Sequence, residues 1–252
     1  MDIASLIGLI VGFLAIVIGN FLEGGHIGHL LQLAAAMIVF GGTFGATLLS
    51  YSMRDIFDAI KVLKKVFGGS QYNPYDVIED ILRTLAKARK IGLIALENEL
   101  NTIEHPFLKR GLGLIIDGMQ PAMVKEILYR EIESYEEYYK KISKVYESAG
   151  GFAPTIGILG AVLGLIHVMQ NVTDPSKIGG GIAVAFVATI YGVGSANLIF
   201  IPIAKKIQHK LKDDIILMEM IIEGIMGIES GLNPYFLKNR LLAFLTTYNR
   251  LT

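Results

Sequence analysis

The sequence contains no cysteine. Thiol chemistry and cysteine-based metal sites are therefore excluded, and redox usage says nothing about compartment. Neither sign of charge is in excess: 23 basic residues balance 23 acidic ones, and no basic surplus points to nucleic acid. Internal repeats, low-complexity segments and strand-length alternation are missing. The first apolar run follows Met1-Asp2 with no positive leader and no A-x-A-like cleavage site, which reads as a retained span and not as a signal peptide. The scarcity that matters most is local. Four long apolar stretches carry no Asp, Glu, Lys or Arg.

Those stretches are Ile3–Phe21, Leu30–Leu49 and, in a hairpin over 149–203, the runs between Ser148 and Val172 and between Lys177 and Lys205. In the hairpin, GGFAPTIGILGAVLGLIHVMQNV and KIGGGIAVAFVATIYGVGSANLIFIPIA are joined through NVTDPS. Each half exceeds the roughly 20 residues that a helix needs to cross a bilayer core. Of the 23 basic residues, 22 lie in 52–148 and 204–252, and the loops between spans one and two and between three and four hold only Lys177. The positive-inside rule then puts both termini and the long middle region in the cytoplasm. The expected architecture is an all-α polytopic membrane protein. Its parts are 1–51 (spans one and two), 52–148 (cytoplasmic helices), 149–203 (spans three and four) and 204–252 (C-terminal cytoplasmic helices).

The hairpin is dense in small residues. Gly157, Gly160, Ala161 and Gly164 share one side of span three, and Gly181, Ala185, Ala188, Gly192 and Ser195 recur at helical spacing on span four. Small residues do not help a helix that faces lipid; they let another helix come close. Packing between these two spans explains part of that surface, and the rest is expected to face helices from other chains.

The cytoplasmic stretch reads as helical throughout. Asn73-Pro74 opens a helix, with Asp76, Glu79 and Asp80 at its positive dipole end and Val77, Ile81 and Leu85 as its buried stripe. Gly92 breaks the register before LIALENEL starts another helix. From Pro121 an amphipathic helix presents Leu128, Ile132, Tyr135, Tyr139, Ile142 and Tyr146 on one face and continues past Gly150-Gly151 into span three. A helix through Met226, ending near Gly231, and a short last helix from Asn233-Pro234 complete the chain.

Charged groups inside a membrane normally mark ion paths and proton relays. Their absence means that this chain alone moves no ion by a carboxylate relay. It does offer two hydroxyls, Thr155 and Thr189, which either bond their own backbone or line a path whose charged carrier comes from another chain. Pro154 and Pro202 sit near the cytoplasmic ends of spans three and four, opposite each other at one depth, as a first-turn proline and a stop or as a pair of hinges. His26 and His29 read as a solvated loop before a metal pair, and Gly179–Gly181 lacks the Lys-Ser/Thr of a phosphate loop. No nucleophile–base pair is present, so no enzyme activity, cofactor or metal is expected. Arg89, Lys90, Glu97 and Glu99 cluster around the Gly92 break, either as a solvated face or as a docking patch.

Several segments, in order, resemble the MotA family of flagellar motor stator subunits. They are LEGG in the outer loop, ARKIGLIALENEL, FLKRGLGLIIDGM, APTIGILGAVLGLIHVM, AFVATIYGVGSANLIFIPIAKK and the IEGI and NP of the tail. The resemblance covers nearly the whole chain. The related ExbB and TolQ energising subunits share the small-residue hairpin but have three spans. A membrane scaffold would need no uncovered small-residue surface.

The resemblance implies a homopentamer around two copies of MotB, whose single span carries an aspartate. It further implies ion flow through that aspartate across the cytoplasmic membrane, and torque on the rotor protein FliG. Carried over residue by residue, it implies Arg89, Lys90 and Glu97 as the rotor interface, with Asn98 where some members have a further acid. It implies Pro154 and Pro202 as coupling prolines, and Thr155, Ala188 and Thr189 along the ion path. Sodium-driven members have a Thr-Thr pair where this chain has Ala188-Thr189, which favours protons over sodium.

Overall fold

The computed structural model describes residues 3–68, 72–173 and 175–251. The helices are α1 (Ile3–Leu22), α2 (Ile27–Leu30), α3 (Leu33–Ala36), α4 (Gly42–Ser50), α5 (Met53–Phe67) and α6 (Pro74–Ile91). They continue as α7 (Pro106–Ile116), α8 (Pro121–Gln170), α9 (Pro175–Ser195), α10 (Ile201–Glu229) and α11 (Pro234–Leu251). Among the described residues there is no strand. Among the described residues, four segments are long and apolar enough to cross a membrane: one in α1, one over Ile27–Ser50, one within α8 and one over Ile178–Glu229. The fold is that of an all-helical polytopic membrane protein, as the sequence predicts.

Two compact units emerge, Met1–Gly69 with Lys140–Gln208, and Ser70–Tyr139 with His209–Thr252. These cuts differ from the division at 52 and 148 read from hydropathy, because α5 and residues 140–148 pack with the spans. Three side-chain contacts tie them there. Lys141 Nζ lies 2.8 Å from Asp55 Oδ1, the Tyr146 hydroxyl donates to the Ala59 carbonyl at 2.8 Å, and the Tyr51 hydroxyl donates to the Lys144 carbonyl at 2.9 Å. The Lys141 ammonium and the Ser52 hydroxyl hold the Asp55 carboxyl below its ordinary pKa.

In this first unit span two is broken. Leu31 and Gln32 interrupt the helix between α2 and α3, and a π-helical turn over Met37–Gly41 joins α3 to α4. A second π turn, Ala196–Phe200, joins α9 to α10. It stands just before Pro202, which has no N–H for the regular ladder and whose ring crowds the carbonyl four residues back. Pro154 is well inside α8, far from any first turn. It removes the bond that would otherwise reach the Gly150 carbonyl.

The second unit has a conventional apolar core. Ile81, Leu85, Leu108, Leu112, Leu128, Met220, Ile221, Ile225 and Leu241 are buried together, drawn from α6, α7, α8, α10 and α11. Asn73 Oδ1 accepts from the Tyr75 N–H at 3.1 Å and caps α6 ahead of Pro74. Gly92 ends that helix at φ 86°, a left-handed conformation that a side chain would strain. LIALENEL does not form the expected α-helix; Ile94–Thr102 is a 3₁₀ helix. The last helix is not short either, since α11 has 18 residues.

Candidate functional site

Span three runs down the second half of α8, and span four through α9 into α10. Their contact is backbone on backbone. A Cβ on Gly157 would stand 2.9 Å from the Ala188 carbonyl oxygen, and one on Gly192 would stand 2.5 Å from that of Ala153. One on Gly164 would meet the Ala185 nitrogen and the Gly181 oxygen, each at 2.8 Å. One on Gly181 would stand 2.6 Å from Val168, and one on Gly160 would stand 2.8 Å from Ala188 Cβ and 3.2 Å from Ile38 of span two. Only glycine allows this approach, because the facing atoms at 157, 164 and 192 are largely main chain.

These small residues are therefore covered inside one chain. Gly157, Gly160, Gly164, Gly181, Ala185 and Gly192 are buried, Ala161 half-buried. Packing between spans three and four, which the sequence reading credited with only part of the seam, occupies most of it. The exposed surface of the hairpin is made by larger side chains: Ile158, Leu159, Val162, Phe186, Ile190 and Val193.

Thr155 is exposed, and its Oγ1 donates to the Phe152 carbonyl at 2.8 Å. Thr189 is half-buried and donates to the Ala185 carbonyl at 3.2 Å. Both hydroxyls thus have backbone acceptors of their own and keep lone pairs free to accept. Ala188 is completely buried. It reaches no open surface of this chain and sits under Gly160 and Gly157.

The expectation that Pro154 and Pro202 lie opposite each other needs correction. The contacts of Gly157 with Gly192 and of Gly150 with Ile201 set the antiparallel register. It puts Pro154 beside Ser195 and Pro202 beside Glu147. At 1.5 Å per residue the two prolines are about 10 Å apart along the hairpin.

Sequence reasoning missed Tyr191. Its hydroxyl accepts from the Gln32 N–H at 3.4 Å and donates to the Leu30 carbonyl, and its ring stacks on Phe40 at 5.6 Å. It thereby satisfies two of the backbone polar groups that the break in span two exposes. Backbone groups at membrane depth need such partners. No local signal marks the residue, because its partners are some 160 positions away in the chain.

In the second unit, Arg89 and Lys90 occupy the last turn of α6, where the dipole favours cations, and Glu97 lies in the 3₁₀ segment. All three are exposed, and among the described residues none has an ion-pair partner. Glu99 is different: it pairs with Lys87 at 2.6 Å. His26 and His29 in the outer loop stand edge to face, ring centres 5.7 Å apart.

A helical hairpin zipped by glycine and braced by a broken second span defines a polytopic membrane protein built for tight helix packing. Residues 6–92 match the family described as Motility protein A N-terminal, and residues 99–220 match the MotA/TolQ/ExbB proton channel family. Motility protein A of Helicobacter pylori is 36% identical over 245 residues, 97% of this chain and 95% of that one. The solved C. jejuni MotAB superimposes with a TM-score of 0.92 at 33% identity, covering 97% of this chain and 96% of that one. The flagellar MotAB stator complex of Bacillus subtilis does so with a TM-score of 0.92 at 31% identity, covering 99% and 98%. The chain belongs to the MotA/TolQ/ExbB proton channel family, on its motility protein A branch.

Proposed function

We propose that this chain is the membrane subunit of a flagellar stator, converting ion flow across the cytoplasmic membrane into torque. The observation that carries the reading is an absence set against a scaffold. Four spans form a tightly braced bundle, yet none contains Asp, Glu, Lys or Arg, so the group that carries the ion comes from another chain. A MotB-like single-span partner with a membrane aspartate supplies it, in keeping with structural relatives that are MotAB complexes.

In this reading five copies form a ring around two partner helices, with both termini in the cytoplasm. The glycine seam of Gly157, Gly160, Gly164, Gly181, Ala185 and Gly192 sets the spacing of the hairpin. The partner helix then packs on Ala161 and the exposed side chains beside it. Thr155 and Thr189 line the ion path, and Ala188 keeps the helix beneath them slim. Pro154 and Pro202 are hinges at two depths, not one. Arg89, Lys90 and Glu97 engage the rotor protein FliG through steering and register, as charges at an interface rim do. The ion is the proton.

The test is complementation. In cells lacking their own stators, co-expression with the partner restores swimming; a protonophore abolishes it, and removal of sodium does not. Asparagine in place of the partner's aspartate stops rotation while the complex still assembles. Swimming that needs sodium and survives the protonophore would reverse the ion assignment. Swimming without any partner would defeat the reading itself.

A further inference from the structure

We infer that α5 lies in the cytoplasmic headgroup layer of the membrane and binds anionic phospholipid. The inference rests on the membrane placement proposed above. Helix α5 begins two residues after span two ends, Ser50 to Met53, with Ser52 accepting from the Asp55 N–H at 3.2 Å as its cap. Three faces can be separated. Ile56, Ala59 and Val62 are buried, with Asp55, on the side tied to residues 141–146.

Met53, Phe57 and Ile60 follow at i, i+4 and i+7 and form one continuous stripe, each more than half exposed. An apolar stripe of this kind on a soluble surface would be a liability. Arg54 and Lys61 run along one flank and Lys64 ends the stripe; all three are exposed, and among the described residues only Lys61 has an acidic neighbour, Asp58 at 3.3 Å.

This is the pattern of an interfacial helix, with large apolar side chains on one arc and basic ones beside it. Two features of this surface select lipid over protein as the occupant. The stripe follows in the chain directly on span two, whose last turns expose Phe44 and Leu49, side chains that meet acyl chains in the proposed placement. The flanking charge is mostly positive, which suits phosphate headgroups, and long basic side chains reach up to them while their stems stay apolar. The Lys141–Asp55 pair fixes the rotation of α5, so the stripe has one direction to face.

The chain contains no tryptophan, so Phe57→Trp introduces one reporter whose signal is read as a difference from the wild-type complex. The assembled stator carrying it is placed in phosphatidylcholine vesicles with brominated acyl chains. The expected result is blue-shifted emission, quenched by the brominated lipid. Brominated phosphatidylglycerol at the same mole fraction quenches more strongly. That preference falls by about fivefold for each charge removed in Arg54→Gln and Lys64→Gln.

Unquenched emission at position 57, with ion flux intact, would mean that a neighbouring copy covers the stripe and would overturn the inference while sparing the stator reading. Equal quenching by both lipids would overturn the anionic selectivity. If Phe57→Trp does not assemble, Ile60→Trp reads the same face.

Discussion

Replacing Gly192 by alanine isolates the price of close approach in the hairpin. The added methyl would fall 2.5 Å from the Ala153 carbonyl oxygen, whereas ordinary contact begins at 3.4 Å. The facing atom belongs to a helix backbone and cannot rotate away, so the two helices must part by up to about 0.9 Å. Overpacking of this kind costs about 1–3 kcal/mol. Alanine also gains about 1 kcal/mol of helix propensity over glycine, which masks part of the loss. Gly194→Ala is the internal control, because nothing lies within 4 Å of its new methyl.

The comparison of the two variants removes the propensity contribution and leaves the contact. For a chain of this size the gap corresponds to roughly 2–12 °C in the melting midpoint of the detergent-solubilised complex. Gly192→Ala melts lower and conducts less, while Gly194→Ala melts at or above wild type. Equal midpoints would show that spans three and four are not zipped at this position.

Three further outcomes are expected. Tyr191→Phe keeps the ring on Phe40 but leaves the Gln32 N–H and Leu30 carbonyl without the hydroxyl. It destabilises the complex by about 1–3 kcal/mol in a thermal melt; an unchanged melt would mean that the break finds other partners. Burial pushes the His105 imidazole down to about 4, with its ring 4.4 Å from that of Tyr72, so the unfolded chain binds a proton first as pH falls. Stability is full above about 6.5 and declines between there and about 4, and His105→Gln flattens that part of a stability–pH curve; an unaltered slope would assign it to other groups. Arg89→Glu weakens rotation without loss of assembly, and a charge reversal on the rotor restores it. Full motility of Arg89→Glu combined with Glu97→Lys would leave only a solvated face.

What was legible in the sequence was what is written locally. Proline and asparagine at the start of α6, Gly92 at its end, and the four apolar spans all act through a few neighbouring residues. The continuity of α8 through Gly150-Gly151 was legible for the same reason, since its apolar face simply persists. The failures are non-local. Nothing in MIVFG announces a π turn and nothing around Leu31 announces a break, whereas Pro202, just after ANLIF, signals an irregularity there but not that it takes the form of a π turn. The depth of two prolines on antiparallel helices depends on register, and register is set by glycine contacts that no single helix reveals. The small-residue face announced close packing but not which helix would occupy it.

Tyr191 also imposes a timetable. Span two leaves the ribosome long before its staple exists: Gln32 and Tyr191 are 159 residues apart. At about 5–20 residues per second the wait is roughly 8–32 seconds. During that interval the Leu30 carbonyl and Gln32 N–H have no hydroxyl to meet them, and such groups are costly in hydrocarbon. The nascent segment must keep its break near water, or borrow a temporary partner, until span four arrives. Span one is free of this constraint, for its helix bonds are complete within Ile3–Leu22. Synthesis therefore delivers an early helix that is finished at once and a second that is finished only by the fourth.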